Sequence, residues 1–561
     1  MAPRKTYLRK FRDDATGSAS SSRAPSASRT PIPADDSDDE FIEQDFQRIE
    51  DLLNQKLLSL QQTVEAHVDK SIDKTAHRDR KQHDIIALNR ARIQESSSIP
   101  EIIASLQLPR TEVSTTSREL LLAQLYKLIV SKPIIVVNEE NIGTVNYIDE
   151  EKVQKLINLF TNHEYRTETE FLYLFRSIIA LIASNIEDFG GFVTSDFLEL
   201  IATLIQEPAT STITNSNKAN LVIGYTSITL ILQDGAGYFG VDDKIKWLID
   251  LAEGYSKSAH LLKDQLASGD REYSTKIEDK DMDKVLINEA QQKVDDEALV
   301  CVYILQGIAA LLTLLPKGEY LNEICEDLMI KLVPLVDDEV NEISKATART
   351  IAVIYEIYDY DINSDEETDG ENSEFNSNAP FYEQEYLFSI FDRLAKLSSK
   401  RISKKEKKEV HSVFRSVGNS LEAYADRESR EAIQKKTEEG IEILKSIMDS
   451  TYIKLSKYRS LPINSWHLYA RLRQLKWCFS FGLHSQLVCN DSIKDILNEQ
   501  DDLLSAYDIE DSKLNDPAYS NLVGEAFDKL NTSNEKKRAA KIKKERANKL
   551  NEQMGAIDLS N

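Results

Sequence analysis

Residues Ala298–Leu315 read ALVCVYILQGIAALLTLL, set between Asp295-Asp296-Glu297 and Pro316. The stretch is apolar on almost every side, yet it is short for a bilayer and carries Gln306 and Gly307 in its middle. These features predict a helix buried between neighbours in a protein core, and argue against a membrane span. Similar segments recur on both sides of it: Leu120–Ile129, Val153–Phe160, Phe171–Ile182, Phe197–Ile205, Leu221–Leu232, Ile245–Leu251, Leu321–Leu335 and Ile343–Tyr358. Some of these are also apolar nearly all round, as helices flanked on two sides in a stack must be. No strict sequence period links them. The pattern predicts an all-α, armadillo- or HEAT-like helical repeat array over residues 96–358, with a degenerate repeat of about 40–47 residues.

Composition agrees with this reading. The 561 residues include 18 Gly and 13 Pro, while 41% are hydrophobic and 29% charged, which disfavours sandwiches, barrels and collagen-like chains. Residues 1–40 are rich in Ser, Ala, Pro and Arg with little to bury, and read as a disordered segment. From Phe41, apolar residues at three- and four-residue steps (Phe46, Ile49, Leu53, Leu57, Leu60, Val64) predict an amphipathic helical extension over 41–95. That extension needs a partner, either the body of the protein or another chain. Ser256–Asp296 is polar and charged and reads as an insertion loop. An acidic linker is expected over 359–380, since Asp359–Ala379 holds eight acidic residues and no basic one. Residues 381–500 read as a small, mostly helical C-terminal domain. Within it Thr451–Tyr458 is a candidate strand ended by Pro462, and Trp466–Gly482 a helix with a large aromatic face. Residues 501–561 hold a basic helix at 535–552. Cys301, Cys325, Cys478 and Cys489 lie in apolar surroundings without a C-x-x-C pair, so buried free thiols in a reducing compartment are expected. The basic Met1–Arg12 has no apolar run behind it, and no signal peptide is expected.

No phosphate-binding glycine loop, H-E-x-x-H helix or nucleophile elbow occurs. His77 and His83 sit among Arg and Lys, and His467 and His484 flank the aromatic helix, where packing explains them. No enzyme activity, cofactor, metal site, small-molecule substrate or membrane partner is expected. Charge is more informative. The 69 Lys and Arg against 94 Asp and Glu give a net −25, which if evenly spread would oppose any RNA partner. It is not evenly spread. Glu535–Lys549 carries Lys536, Lys537, Arg538, Lys541, Lys543, Lys544, Arg546 and Lys549 against two glutamates, a local +6 that leaves −31 elsewhere. A helix basic on all sides fits a channel walled by phosphate. A frayed charged tail or a nuclear-localisation patch reads equally well from these residues alone. A second run, Lys396–Lys408, includes Lys404, Lys405, Lys407 and Lys408 and leads into Val410, Val413, Phe414, Arg415 and Val417. The apolar spacing there predicts a docked helix, with the cations either a phosphate-contacting collar or a solvated loop.

Three stretches resemble the interferon-related developmental regulators. Ser403–Val417 (SKKEKKEVHSVFRSV) is similar to that family's basic run ending in S-V-F-R-x-V. Ser465-Trp466, the helix closing at Gly482, Leu483–Leu487 and Asp491–Leu497 resemble its next block, and the basic C-terminal helix is the third likeness. Leu335–Val340 with Ala346–Tyr358 is similar to its last armadillo-like repeat, and Ser117-Arg118-Glu119 to its first. The 41–95 extension and the Ser256–Asp296 insertion depart from the family pattern. The resemblance implies an armadillo-type protein that binds ribosomes (rRNA and ribosomal proteins), occupies the intersubunit tRNA sites and places its C-terminal helix in the mRNA channel. On that reading the eight cations of 535–549 contact rRNA, and Lys404, Lys405, Lys407, Lys408 and Arg415 form a second RNA contact. The location is then cytoplasmic. Vertebrate members have also been described as transcriptional co-regulators, which implies a nuclear alternative with transcription factors as partners.

Overall fold

The computed structural model describes residues 44–56, 98–131, 134–136, 147–235, 237–268, 280–360, 379–396, 404–435, 437–448, 451–455 and 460–497. Residues 1–40, most of the 41–95 extension, 361–378 of the acidic stretch and all of 501–561 lie outside the described residues.

Residues 44–56 are helical (α1). Six helix pairs follow. The first members are α2 (Ile99–Leu106), α4 (Glu150–Thr161), α7 (Ser195–Gln206), α9 (Val241–Ser268), α11 (Glu319–Val336) and α13 (Gln384–Lys396). The second members are α3 (Thr115–Ser131), α5 (Glu168–Ser184), α8 (Asn215–Gln233), α10 (Lys280–Leu312), α12 (Asn341–Ile357) and α14 (Lys404–Ala425). A short α6 (Ile186–Phe189) follows α5. Each first helix packs on its second, and the second helices pack on one another in chain order, so they form one continuous row. The fold is an all-α helical repeat array. The pair α13–α14, beyond the acidic stretch, continues the same row.

Local sequence sets the starts of these helices. Asp149, Thr167, Thr194 and Thr214 each accept a hydrogen bond from the backbone N–H three residues on, satisfying a donor the helix leaves open. The all-round apolar reading holds: every residue from Leu221 to Ile231 in α8 is buried. Ala298–Leu312 is the end of α10 and lies in the core. No single helix among the described residues is long and apolar enough to cross a membrane.

Three expectations are corrected. The described parts of Ser256–Asp296 are helix, continuing α9 and α10, because their polar residues are good helix formers that pair at i,i+4. Examples are Gln291 with Asp295 at 2.8 Å and Gln292 with Asp296 at 2.9 Å. The strand β1 (Thr451–Lys454) exists, but Pro462 lies inside its antiparallel partner β2 (Ser460–Ile463), opposite Tyr452. In a two-stranded pair each strand keeps an open edge, where a missing N–H is tolerated. Cys489 is exposed at the end of a short helix, whereas Cys301, Cys325 and Cys478 are buried and burial pushes their thiols up.

The helix after β2, which carries the expected aromatic face, runs along the array. After the short α15 (Arg427–Gln434) and α16 (Glu438–Ile447), helix α17 (Trp466–Phe479) meets the second helices in reverse chain order. Its start is capped by Glu356 of α12, which accepts from the Trp466 N–H at 2.7 Å, and Trp466 Nε1 donates to Ser420 of α14 at 2.8 Å. Gln474 donates to the Gln306 carbonyl of α10 at 3.3 Å and accepts from Thr226 and Ser227 of α8 at 3.1 and 2.8 Å. Trp477 Nε1 donates to Asn220 of α8 at 3.0 Å. The Trp477 carbonyl accepts from Arg176 of α5 at 3.1 Å, and the Cys478 carbonyl from Tyr126 of α3 at 3.3 Å. Close approach here depends on missing side chains. A Cβ at Gly224 would stand 2.4 Å from the Phe175 ring, and one at Gly482 only 1.8 Å from the Val130 carbonyl oxygen.

Helix α1 closes the far end of α17. Ile49 and Leu53 are buried, so the partner of this amphipathic helix is the body of the protein. Its Asp45 is buried too, facing both ends of the Arg176 guanidinium at 2.8 and 2.9 Å and accepting from Ser480 at 2.5 Å. Arg176 also donates to the Tyr126 hydroxyl at 2.7 Å and stacks 4.4 Å from that ring's centre. Burial alone would raise the Asp45 carboxyl; Arg176 and Ser480 outweigh it and hold the group below its ordinary value. Removing one partner leaves a buried charge unpaired.

We therefore expect Arg176→Met to lower stability by about 3–5 kcal/mol in urea unfolding. The double variant Asp45→Leu/Arg176→Met should lose less than the sum of the two single losses. A loss for Arg176→Met inside the range of surface substitutions would contradict the role given to this pair.

His467 supplies a pH dependence. Burial pushes its pKa down to about 3, with repulsion from Arg471 and Lys317 adding to the effect. Unfolded, the ring titrates near ~6.5. Stability from this group is complete above the unfolded value, falls as pH drops through the window between the two, and is lost once pH passes the folded value. Thermal melts of His467→Gln should show a shallower fall in Tm between pH 6.5 and 4 than the parent chain; equal slopes would contradict the assignment.

Candidate nucleic-acid interface

Helices α13 and α14 bring the second basic run to an edge of the array. In α13, Leu387, Ile390, Phe391 and Leu394 are buried; in α14, Val410, Val413, Phe414, Val417 and Leu421 are buried. Both sets recur at three- and four-residue steps, which gives each helix a single inward face. The two faces meet at Phe391 and Phe414, with ring centres 6.2 Å apart, and His411 Nδ1 contacts the Ala395 carbonyl. The docked helix expected from Val410, Val413, Phe414 and Val417 is present. It begins earlier than the apolar spacing implies, at Lys404, so the last part of the basic run is helix and not loop.

With the apolar faces inward, Tyr382, Tyr386, Arg393, Lys396 and Arg415 are left exposed. Arg393 pairs with Asp337 at 2.8 Å and Lys396 with Asp392 at 2.5 Å. Exposed pairs of this kind are worth about 0–1 kcal/mol, so a phosphate could exchange for either carboxylate at little cost. Arg415 makes no ion pair among the described residues. Lys404, Lys405, Lys407 and Lys408 fall in the first turns of α14, and the spacing of Lys404, Lys408 and Arg415 puts those three residues on one face of the helix. The other expected contacts, Lys536, Lys537, Arg538, Lys541, Lys543, Lys544, Arg546 and Lys549, lie outside the described residues. Among the described residues no three His, Cys, Asp or Glu side chains gather as a metal site requires.

Sequence reasoning missed the polar contacts by which α17 joins other parts of the array. Arg471 of α17 is buried. It reaches Asp234 at 2.7 Å, the Thr313 carbonyl at 3.0 Å and the Ile496 carbonyl at 3.1 Å, and so joins the ends of α8 and α10 to the last described turn. The available signal was the mixture of Arg471 and Gln474 with Trp466, Tyr469 and Trp477. A helix with that composition has neither a clean polar face nor an apolar one, which marks burial with partners.

These features define an all-α helical-repeat protein with one helix laid along its row of second helices and a partly basic edge beside it. Residues 276–422, from just before α10 into α14, match the family model described as Interferon-related developmental regulator (IFRD). The likeness read in Ser403–Val417 and Leu335–Tyr358 falls inside the match. Ser117-Arg118-Glu119, Trp466–Leu497 and the basic C-terminal helix fall outside it. No curated protein matches the chain.

Packing and solvent contact can be separated by mutation. Val417→Asp should unfold the α13–α14 pair and lower the Tm sharply, whereas Arg415→Glu should change stability by no more than about 0.5 kcal/mol. Comparable losses in thermal melts would show that Arg415 belongs to the packing and is not free for a ligand.

Proposed function

We propose that this protein is a ribosome-binding factor that silences translation, or preserves idle ribosomes, by occlusion and without catalysis. In this reading the helical array docks over the intersubunit tRNA sites and the basic helix 535–552 enters the mRNA channel. Its partners are rRNA and ribosomal proteins, and its place of action is the cytoplasm. The observation that carries the reading is the segregation of charge, +6 on Glu535–Lys549 against −31 elsewhere, in a chain that matches the regulator family model over 276–422. An acidic body repels bulk RNA, so affinity rests on a few basic elements and on shape. Arg415 and the cations at the start of α14 supply the second contact.

The nuclear adaptor alternative is less well supported. Solenoid adaptors take partners along a surface formed by their repeats. Here α17 already lies along α5, α8, α10 and α12, and its polar groups bond to that row.

Sucrose-gradient sedimentation tests the proposal. The full chain should travel with ribosomes and be released as salt rises, because displaced counterions set the affinity. Nuclease digestion of rRNA should release it as well. Truncation at Asn534 should abolish co-sedimentation or relieve inhibition of translation, and Arg415→Glu should weaken binding. Unchanged binding and inhibition after truncation would overturn the role given to the tail.

A further inference from the structure

Apolar exposure among the described residues is concentrated on one edge. Of eight large hydrophobic side chains that stand exposed, five (Tyr238, Phe239, Leu261, Tyr320 and Ile330) come from α9, α11 and the α8–α9 turn. Phe239 is 95% exposed, Leu261 63% and Ile330 62%. The α8–α9 turn that carries Tyr238 and Phe239 is built on glycines: Gly235, Gly237 and Gly240 have φ of +72°, +133° and +69°, values that side-chain-bearing residues rarely adopt. Tyr238 and Phe239 stand out in water between Gly237 and Gly240.

The surface is continuous. The Tyr320 hydroxyl at the start of α11 hydrogen-bonds Asp242 at the start of α9. Further along, Lys331 of α11 meets Asp250 of α9 at 2.5 Å. On α11 the exposed residues Glu319, Glu323, Asp327, Ile330 and Pro334 recur at helical spacing, so apolar and acidic groups share one outward face. From Glu319 to Glu339 there are seven carboxylates and one cation, Lys331, which is already paired. The exposed cations of α9, Lys246 and Lys257, pair with Asp242 and Glu253 of the same helix. Scattered exposed apolar residues are ordinary, but a patch that gathers most of them beside the outward carboxylates Glu319, Glu323 and Asp327 marks an interaction site.

We propose that the α9–α11 edge is a docking surface for a basic, amphipathic protein segment. Its apolar side chains would cover Phe239, Tyr320 and Ile330, and its Lys or Arg residues would face Glu319, Glu323 and Asp327. Charge decides the class of partner: the carboxylates repel a phosphate backbone, so this edge takes protein while the basic elements take RNA. The surface is separate from α13–α14 and goes beyond the occlusion reading, since it can hold or fail whether or not the tail enters a channel.

The probe is a fluorescent synthetic helix of Lys and Leu with its leucines on one face, titrated by anisotropy against the full chain. A peptide of the same composition with scrambled leucines is the control. The amphipathic probe should bind more tightly than the scrambled one, and more weakly as salt rises. Phe239→Ser/Ile330→Ser and Glu323→Lys/Asp327→Lys should each weaken binding about tenfold while leaving thermal melts unchanged, because all four side chains are exposed. Equal binding of the two peptides, or parental binding by both variants, would overturn the assignment. Binding seen only after truncation at Asn534 would also overturn it, since the chain's own basic segment would then be the occupant.

Discussion

The structure depends on satisfying the polar groups of one buried helix. Helix α17 carries Arg471 and Gln474 among its aromatic residues into the core, where an unpaired donor or acceptor costs about 1–3 kcal/mol. Arg471 finds partners at the ends of α8 and α10 and Gln474 within those same two helices, and the carbonyls at the helix end are met by Tyr126 of α3 and Arg176 of α5. The partners are correctly placed only when the second helices stand in register. Hydrophobic burial draws the repeats together without direction, and the hydrogen bonds of α17 fix their relative positions.

The Asp45–Arg176 pair extends the same logic to the N-terminal side. Arg176 contacts α1, α3 and α17 at once, so a single guanidinium joins segments that are 131 and 301 residues apart in sequence. The pair is buried together with Tyr126 and Ser480. The row of second helices is thus committed to internal contacts over much of its length. The two contact surfaces proposed among the described residues are both edges: the basic one at α13–α14 and the acidic, aromatic one at α9–α11.

Much of this was legible in the sequence wherever one physical demand acted alone. Segments such as Leu221–Leu232 and Ala298–Leu315 must be buried on two sides whatever their neighbours are, so they read correctly as stacked helices. Val410, Val413, Phe414 and Val417 likewise show a docked helix through spacing alone. Ser256–Asp296 did not read as helix because its exposed surface has no apolar stripe, and helix propensity is a weaker signal than periodicity. Nothing local to Asp45 and Glu50 of α1 reveals that Arg176 and Lys127 stand opposite them. The cations proposed to contact RNA were located by charge counting, which finds a run but not its packing. Arg415 is the one whose exposed side chain the structure describes. The aromatic turn at Tyr238-Phe239 passed unnoticed, because an exposed ring and a buried ring look the same in a sequence.

The central claim is that this chain silences ribosomes by filling sites that translation needs. Cryo-electron microscopy of purified ribosomes saturated with the full chain tests it most directly. The account predicts the helical array over the intersubunit tRNA sites, with α13–α14 against rRNA and a helical density for 535–552 in the mRNA channel. An array bound elsewhere on the particle, with the channel and tRNA sites empty, would contradict it.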